Sequence, residues 1–266
     1  SYVKIDLKLN MDAGVFFKKM NKKIKVKKNN WYSKYKEMNW YEPAQKKNYI
    51  NPNRFIRMLS NQLDKKSAII IDGGGTALYA GFQSSIVKEN TKIICSSSIS
   101  AMGTGLAETI GVGISKKFNK LVCVIGDGSL LMNSQDLQTI AQKKFNVIIV
   151  LVNNKGYLAI RHTQKEFLKE NYIGTVLPDI TFPNFKNLAN AYNLKYIKIN
   201  NEKNIKKIIK KLNIIKGPII CDLSTDPNGN SLFKQGYSKK DDGSFQPMNL
   251  EEMYPFTKGY ISNTNN

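Results

Sequence analysis

Two short runs in this sequence place oxygen donors and glycines where chemistry can be done. Gly126-Asp127-Gly128-Ser129 offers a carboxylate and a hydroxyl among glycines. Asn153-Asn154-Lys155-Gly156-Tyr157 offers carboxamide oxygens, with Asn154 twenty-seven residues after Asp127. A carboxylate and a carboxamide held together suit Mg²⁺, a hard cation that keeps octahedral oxygen geometry and often shares its shell with phosphate. Gly126 and Gly128 would let main-chain N–H groups approach a diphosphate, and Ser129 would add a hydroxyl near a helix start. Taken singly, each run is also a common turn or loop. Their joint placement gives the specificity.

That placement comes from the elements around them. Residues 121–125 and 147–152 are continuous apolar runs, each ending at one motif, with a helix expected over 134–144 between them. In an open parallel sheet such a strand–helix–strand unit sets two carboxyl ends side by side, where ligands bind. The same alternation extends outward. Strands are expected at 68–71, 92–95, 196–199 and 218–223. Helices are expected at 53–63, from Asp72-Gly73-Gly74-Gly75 to about residue 82, and at 103–114, 185–192 and 205–212. Strands that are apolar throughout imply helices on both faces, hence an α/β, doubly wound, mostly parallel sheet. Glycines 103, 105, 111 and 113 would weaken the helix at 103–114 by roughly 1 kcal/mol each, which suits a helix packed very closely. Residues 1–10 alternate weakly like a strand. Residues 11–50, with Trp31, Trp40 and Pro43, read as a connector with short helical pieces, and 228–266 as an extended tail.

With 266 residues and 41% hydrophobic content, the chain can bury a core and is not disordered throughout. No apolar run approaches the roughly 18 residues of a membrane helix, and the first residues carry no leader pattern. Cys95, Cys123 and Cys221 are far apart within apolar runs, so neither disulfides nor zinc is expected, and a cytoplasmic setting is. The net charge of +21 suggests a polyanion partner. Only Arg54, Arg57 and Arg161 are arginines, however, against 30 asparagines. Base-edge readout and bidentate phosphate contacts favour arginine, so the lysines, densest at 18–28 and 206–216, read as a solvated surface rather than a nucleic-acid site.

The sequence resembles the thiamine-diphosphate-dependent enzymes of the acetolactate synthase-like family. The resemblance rests on Gly126-Asp127-Gly128-Ser129 with Asn154. It is extended by Ser100-Ala101-Met102-Gly103-Thr104-Gly105-Leu106, by Leu130-Leu131-Met132-Asn133-Ser134-Gln135-Asp136-Leu137 and by Asn153-Asn154-Lys155-Gly156-Tyr157. It covers residues 51–227 as the carboxyl-terminal, diphosphate-binding domain. Residues 1–50 would then be the tail of a preceding central domain plus its linker, in a longer protein. The resemblance implies thiamine diphosphate and Mg²⁺ as cofactors, with Asp127, Asn154 and the Gly156 carbonyl as metal ligands. Gly126, Gly128, Ser129 and Tyr157 would line the cofactor. Met102 would prop it in its bent form, or else fill the core, and the Ser100 backbone would meet the aminopyrimidine. Thr76 would reach the diphosphate or cap a helix.

The implied activity is decarboxylation of a 2-oxo acid, with ligation of the product to a second carbonyl compound, a lyase or transferase. The activating glutamate of such enzymes belongs to a pyrimidine-binding domain of a neighbouring subunit, so a homodimer or homotetramer is implied and no catalytic residue is expected within this chain. Two other readings stay open: a separately encoded subunit of a two-subunit decarboxylase, and a non-catalytic binding domain. Two departures fall in substrate-handling places. No Gln-His-Gln stands near Gly75-Thr76-Ala77, and Thr163 stands where a tryptophan is usual. The sole histidine, His162, is expected near the site mouth, as a titrating group or a plain surface residue.

Overall fold

The computed structural model describes residues 6–23, 48–64, 66–96, 98–229 and 237–248. The chain divides into two compact units, Ser1–Tyr41 and Glu42–Asn266. In the first, helix α1 (Ala13–Asn21) starts at Asp12, whose side chain accepts a hydrogen bond from the Val15 N–H. This is one of the short helical pieces expected there. Residues 6–10 form no strand, and no strand among the described residues pairs with them. Residues 1–5, and with them part of the expected strand, lie outside the described residues, as do Trp31, Trp40 and Pro43.

The second unit is built on a six-stranded sheet in the order β2-β1-β3-β4-β6-β5, with every pairing parallel. The strands are β1 (Ser67–Ile71), β2 (Lys92–Ile94), β3 (Lys120–Gly126), β4 (Val147–Asn153), β5 (Lys195–Ile199) and β6 (Ile219–Ser224). Alternate residues feed two separate cores. Ile69, Ile71, Val122, Val124, Val150 and Val152 pack against α2 (Pro52–Gln62), α3 (Gly75–Ser84) and α9 (Ile205–Ile214), which contribute Phe55, Leu59, Ala80 and Ile209. Ile70, Cys123, Ile125, Ile149 and Leu151 pack against Leu106, Leu137, Ile140 and Phe185. These come from α4 (Thr104–Ile114), α6 (Asp136–Gln142) and α8 (Phe185–Ala191). The doubly wound reading therefore holds, with a sheet that is wholly parallel.

The sequence reading missed two helices. α5 (Asp127–Met132) starts directly at the first motif, and α7 (Leu158–Phe167) follows the second. α7 buries only Leu158, Arg161 and Gln164, so it has no apolar stripe to betray it. The tail is also not wholly extended. β7 (Tyr237–Lys239) and β8 (Phe245–Pro247) form an antiparallel hairpin, and the Phe245 ring meets Phe167 of α7 edge-on at 4.4 Å. The glycines of α4 divide by role. A Cβ on Gly105 would lie 3.0 Å from that of Asp72, the close approach expected, whereas Gly111 faces open space.

Candidate cofactor site

The parallel register brings the motifs level. Gly126, the last residue of β3, pairs with Val152 of β4, so Asp127 and Asn154 emerge just beyond adjacent strand ends. The chain runs from β1 to β2 on one side and to β3 on the other, so the sheet order switches between β1 and β3. A crevice opens at such a point. Here it is a cleft with about 380 Å³ of open space, lined by Gly74–Ala77, Met102, Gly126–Ser129, Asn154 and Gly156–Ile160.

Asp127 is 2% exposed. Its Oδ1 accepts from the Gly128 N–H at 2.8 Å and its Oδ2 from the Gly156 N–H at 3.1 Å. Burial pushes its carboxyl up from the ordinary 3.8 to about 6, while the main-chain donors and the Arg161 charge pull the other way. Asn154, 4% exposed, donates from Nδ2 to the Thr76 hydroxyl at 3.3 Å. Its Oδ1 is buried and accepts no hydrogen bond among the described residues. A buried acceptor without a donor costs roughly 1–3 kcal/mol, and a cation would remove that cost. The residues present therefore fit a hard divalent metal. No cluster of three His, Cys, Asp or Glu side chains gathers among the described residues, and all three cysteines are free.

The glycines shape the rest. A Cβ on Gly128 would stand 2.3 Å from the Tyr157 ring, and one on Gly74 would stand 2.3 Å from Ser129 Oγ. Gly156 lies at φ +143°, where a Cβ would strike the Thr175 carbonyl at 2.3 Å. Main chain can thus form the wall of the cleft, as a bulky anion requires.

The structure brings most of the sequence-derived residues together: Thr76, Met102, Gly126, Asp127, Gly128, Ser129, Asn154, Gly156 and Tyr157 all line one cleft. Thr76 is not a helix cap, because Gly74 holds that position and the Thr76 side chain turns to Asn154. Met102 is half-buried and belongs to neither core. Ser100 stays out of the cleft, with its carbonyl packed against Gly73. Thr163 and His162 do not line it either. Thr163 is exposed, and its hydroxyl donates back to the Ala159 carbonyl at 3.3 Å.

Sequence reasoning missed Ala159 and Ile160, which reach the cleft from α7, and it missed two buried charges. Asp72 brackets the loops after β1 and before α4. Arg161 lies beneath the 153–157 loop. A signal for Arg161 existed: it is one of three arginines in a lysine-rich chain, seven residues after Asn154.

These features define a parallel α/β domain with a glycine-lined cleft at its switch point, and the comparisons with known proteins say which family has it. Residues 72–223, more than half of the chain, match the family "Thiamine pyrophosphate enzyme, C-terminal TPP binding domain", and the chain belongs to it. Among its relatives is the acetolactate synthase large subunit of Porphyra purpurea, 31% identical over 182 residues, covering 68% of this chain and 30% of the relative. Another is the acetolactate synthase isozyme 2 large subunit of Escherichia coli K12, 28% identical over 171 residues, covering 64% and 31%. Acetolactate synthase 1 of Oryza sativa is 27% identical over 177 residues, covering 65% and 28%. The chain thus spans about a third of the length of the relatives it matches. No helix among the described residues is long and apolar enough to cross a membrane.

Proposed function

We propose that this chain is the part of a 2-oxo acid-converting enzyme that anchors the diphosphate end of thiamine diphosphate through Mg²⁺. One observation carries the reading. The buried Asn154 Oδ1, without a donor, stands at the neighbouring strand end to the buried Asp127 carboxylate. Asp127 Oδ1 or Oδ2, Asn154 Oδ1 and the Gly156 carbonyl would hold the metal. Main-chain N–H groups at Gly126–Ser129, the Ser129 hydroxyl and Thr76 would hold the diphosphate, and Tyr157 packs on Gly128 to set that wall. Met102, at the cleft edge, would support the bent cofactor.

When bound, thiamine diphosphate supplies the electron sink that lets a 2-oxo acid lose CO₂. The residues of this chain bind and orient it, and α3 and α7 keep water from the diphosphate end. The general acid–base group would come from a pyrimidine-binding domain of a neighbouring subunit, in a homodimer or homotetramer. The resemblance to acetolactate synthases supports a lyase or transferase acting on a 2-oxo acid with a second carbonyl compound as acceptor.

The test is calorimetric titration of the full-length protein with thiamine diphosphate, with and without Mg²⁺. Wild-type affinity should depend on the metal, and Asp127→Ala and Asn154→Ala should lose that dependence while circular dichroism stays unchanged. Unchanged metal-dependent affinity in folded variants would overturn the assignment.

A further inference from the structure

Arg161 lies on the first turn of α7 and is 4% exposed, yet among the described residues it pairs with no carboxylate within hydrogen-bonding distance. Instead its guanidinium is spent on main-chain carbonyls from three segments. Nη1 donates to the Thr175 carbonyl at 3.1 Å and to Lys155 at 3.3 Å. Nη2 donates to the Asn154 carbonyl at 3.2 Å and to that of Pro227, just beyond β6. Nε is buried without a partner among the described residues. The fit is close: a Cβ on Gly156 would stand 2.6 Å from Nη1.

We propose that Arg161 is the positioning residue of the metal site, fastening the 154–156 loop so that the Asn154 side chain and the Gly156 main chain face Asp127 before any metal arrives. This rests on the reading of Asp127 and Asn154 as metal ligands. The physical argument is one of fork geometry. Two carbonyls of the loop are held from below by one planar group, and that group is itself held by the Thr175 and Pro227 carbonyls. The loop therefore cannot rotate its peptides without breaking charge-assisted hydrogen bonds. With its carbonyls fixed, the Gly156 N–H is left aimed at Asp127 Oδ2. A lysine carries the same charge but only a single point of donation, and it cannot span four carbonyls in a plane. The arrangement also makes the segment after β6 part of the support of the site, through Pro227.

The experiment measures the Mn²⁺ dissociation constant of the full-length protein in the presence of thiamine diphosphate, by the loss of the free-ion paramagnetic resonance signal. Arg161→Met and Arg161→Lys are compared with the parent. Outer-shell partners of metal ligands are typically worth 10–100-fold in affinity. The expected result is a weakening in that range for Arg161→Met, with Arg161→Lys still at least about tenfold weak. Turnover at saturating Mg²⁺ should return to within about threefold of the parent, because the ligands themselves are intact. Ser84→Ala is the control for lost stability alone. It removes a buried hydrogen bond from Asn53 Nδ2 (2.8 Å) on a helix face that packs on α2, and it should leave Mn²⁺ affinity unchanged. Affinity within twofold of the parent in folded Arg161→Met, or full recovery in Arg161→Lys, would overturn the proposal. If Arg161→Met does not fold, Arg161→Lys alone decides it. Asp127→Ala is measured alongside. If that variant also keeps parental affinity, the metal reading fails and the proposal with it. If Asp127→Ala loses affinity and the Arg161 variants do not, only the positioning role fails.

Discussion

Asp72 and Asp127 are both buried carboxylates at the carboxyl ends of neighbouring strands, yet their surroundings differ in a way that separates structure from function. Asp72 is 0% exposed, and its oxygens accept three main-chain hydrogen bonds. Gly74 donates to Oδ2 at 2.9 Å, while Gly103 and Gly105 donate to Oδ1 at 2.9 and 3.0 Å. It therefore staples the loop that opens α3 to the turn that carries Met102, where Gly103 sits at φ +90°. Asp127 lines the cleft, stands beside an amide oxygen that takes no donor among the described residues, and has its carboxyl driven up to about 6 by burial. A carboxylate enclosed between two loops acts as a bracket. One that lines a cleft next to an amide oxygen without a donor is the one disposed to take a cation.

The comparison can be broken most forcefully at Asp127. Asp127→Ala should lower thiamine diphosphate affinity in the presence of Mg²⁺ by at least about 100-fold, roughly 3 kcal/mol, with little change in Tm. The effect at Asp72 should be reversed in kind. Asp72→Asn turns a donor toward at least one N–H, costing roughly 1–3 kcal/mol. At about 2–4 °C per kcal/mol for a domain of this size, Tm should fall by about 2–12 °C. Metal affinity should suffer less than at Asp127. Thermal scans together with titrations of the same two proteins decide the matter. If Asp72→Asn costs metal affinity and no stability, the distinction drawn between the two carboxylates is wrong.

Much of this was legible in the sequence. The apolar strands 68–71, 121–125 and 147–152 could be read because burial on both faces leaves an unbroken hydrophobic run, and the motifs at their ends stand out against it. The helix α7 could not be read that way, because the face it turns inward carries Arg161 and Gln164 instead of aliphatic residues. Gln164 itself holds the following loop, donating to the Ile173 carbonyl and accepting from Thr175. Polar packing of this kind has no periodicity to detect. Asp72 was visible only as the start of a glycine run. Its role depends on N–H groups 31 and 33 residues away, which only the fold brings near.

A smaller effect sharpens the contrast on the Asn154 side. Thr76→Val removes the acceptor of the Asn154 Nδ2 hydrogen bond at 3.3 Å, leaving the amide free to rotate about its bond to the main chain. The net worth of such a bond is roughly 0.5–1.5 kcal/mol. Metal-dependent cofactor affinity should therefore weaken by about 2–10-fold in calorimetry, and Thr76→Ser should restore it. A Thr76→Val protein with parental affinity would show that Asn154 is oriented by other contacts.

The smallest expected effect is on the metal-free protein, and it has a definite sign. The folded-state carboxyl of Asp127 titrates near 6, above the ordinary 3.8, so the folded chain holds this proton more tightly than the unfolded chain does. Protonation of Asp127 therefore favours folding. Its contribution is present below the unfolded value and is lost as pH rises through the interval from about 4 to about 6. Asp127→Asn is neutral throughout and has no such term. Other carboxylates add their own pH dependence, so the quantity to measure is the difference in Tm between parent and Asp127→Asn in the presence of a chelator. Relative to the variant, the parent should gain a few degrees between pH 6.5 and pH 4.5. A difference that is flat for Asp127, or that favours the parent at high pH, would mean that water or neighbouring donors solvate its charge, and that it is a bracket like Asp72.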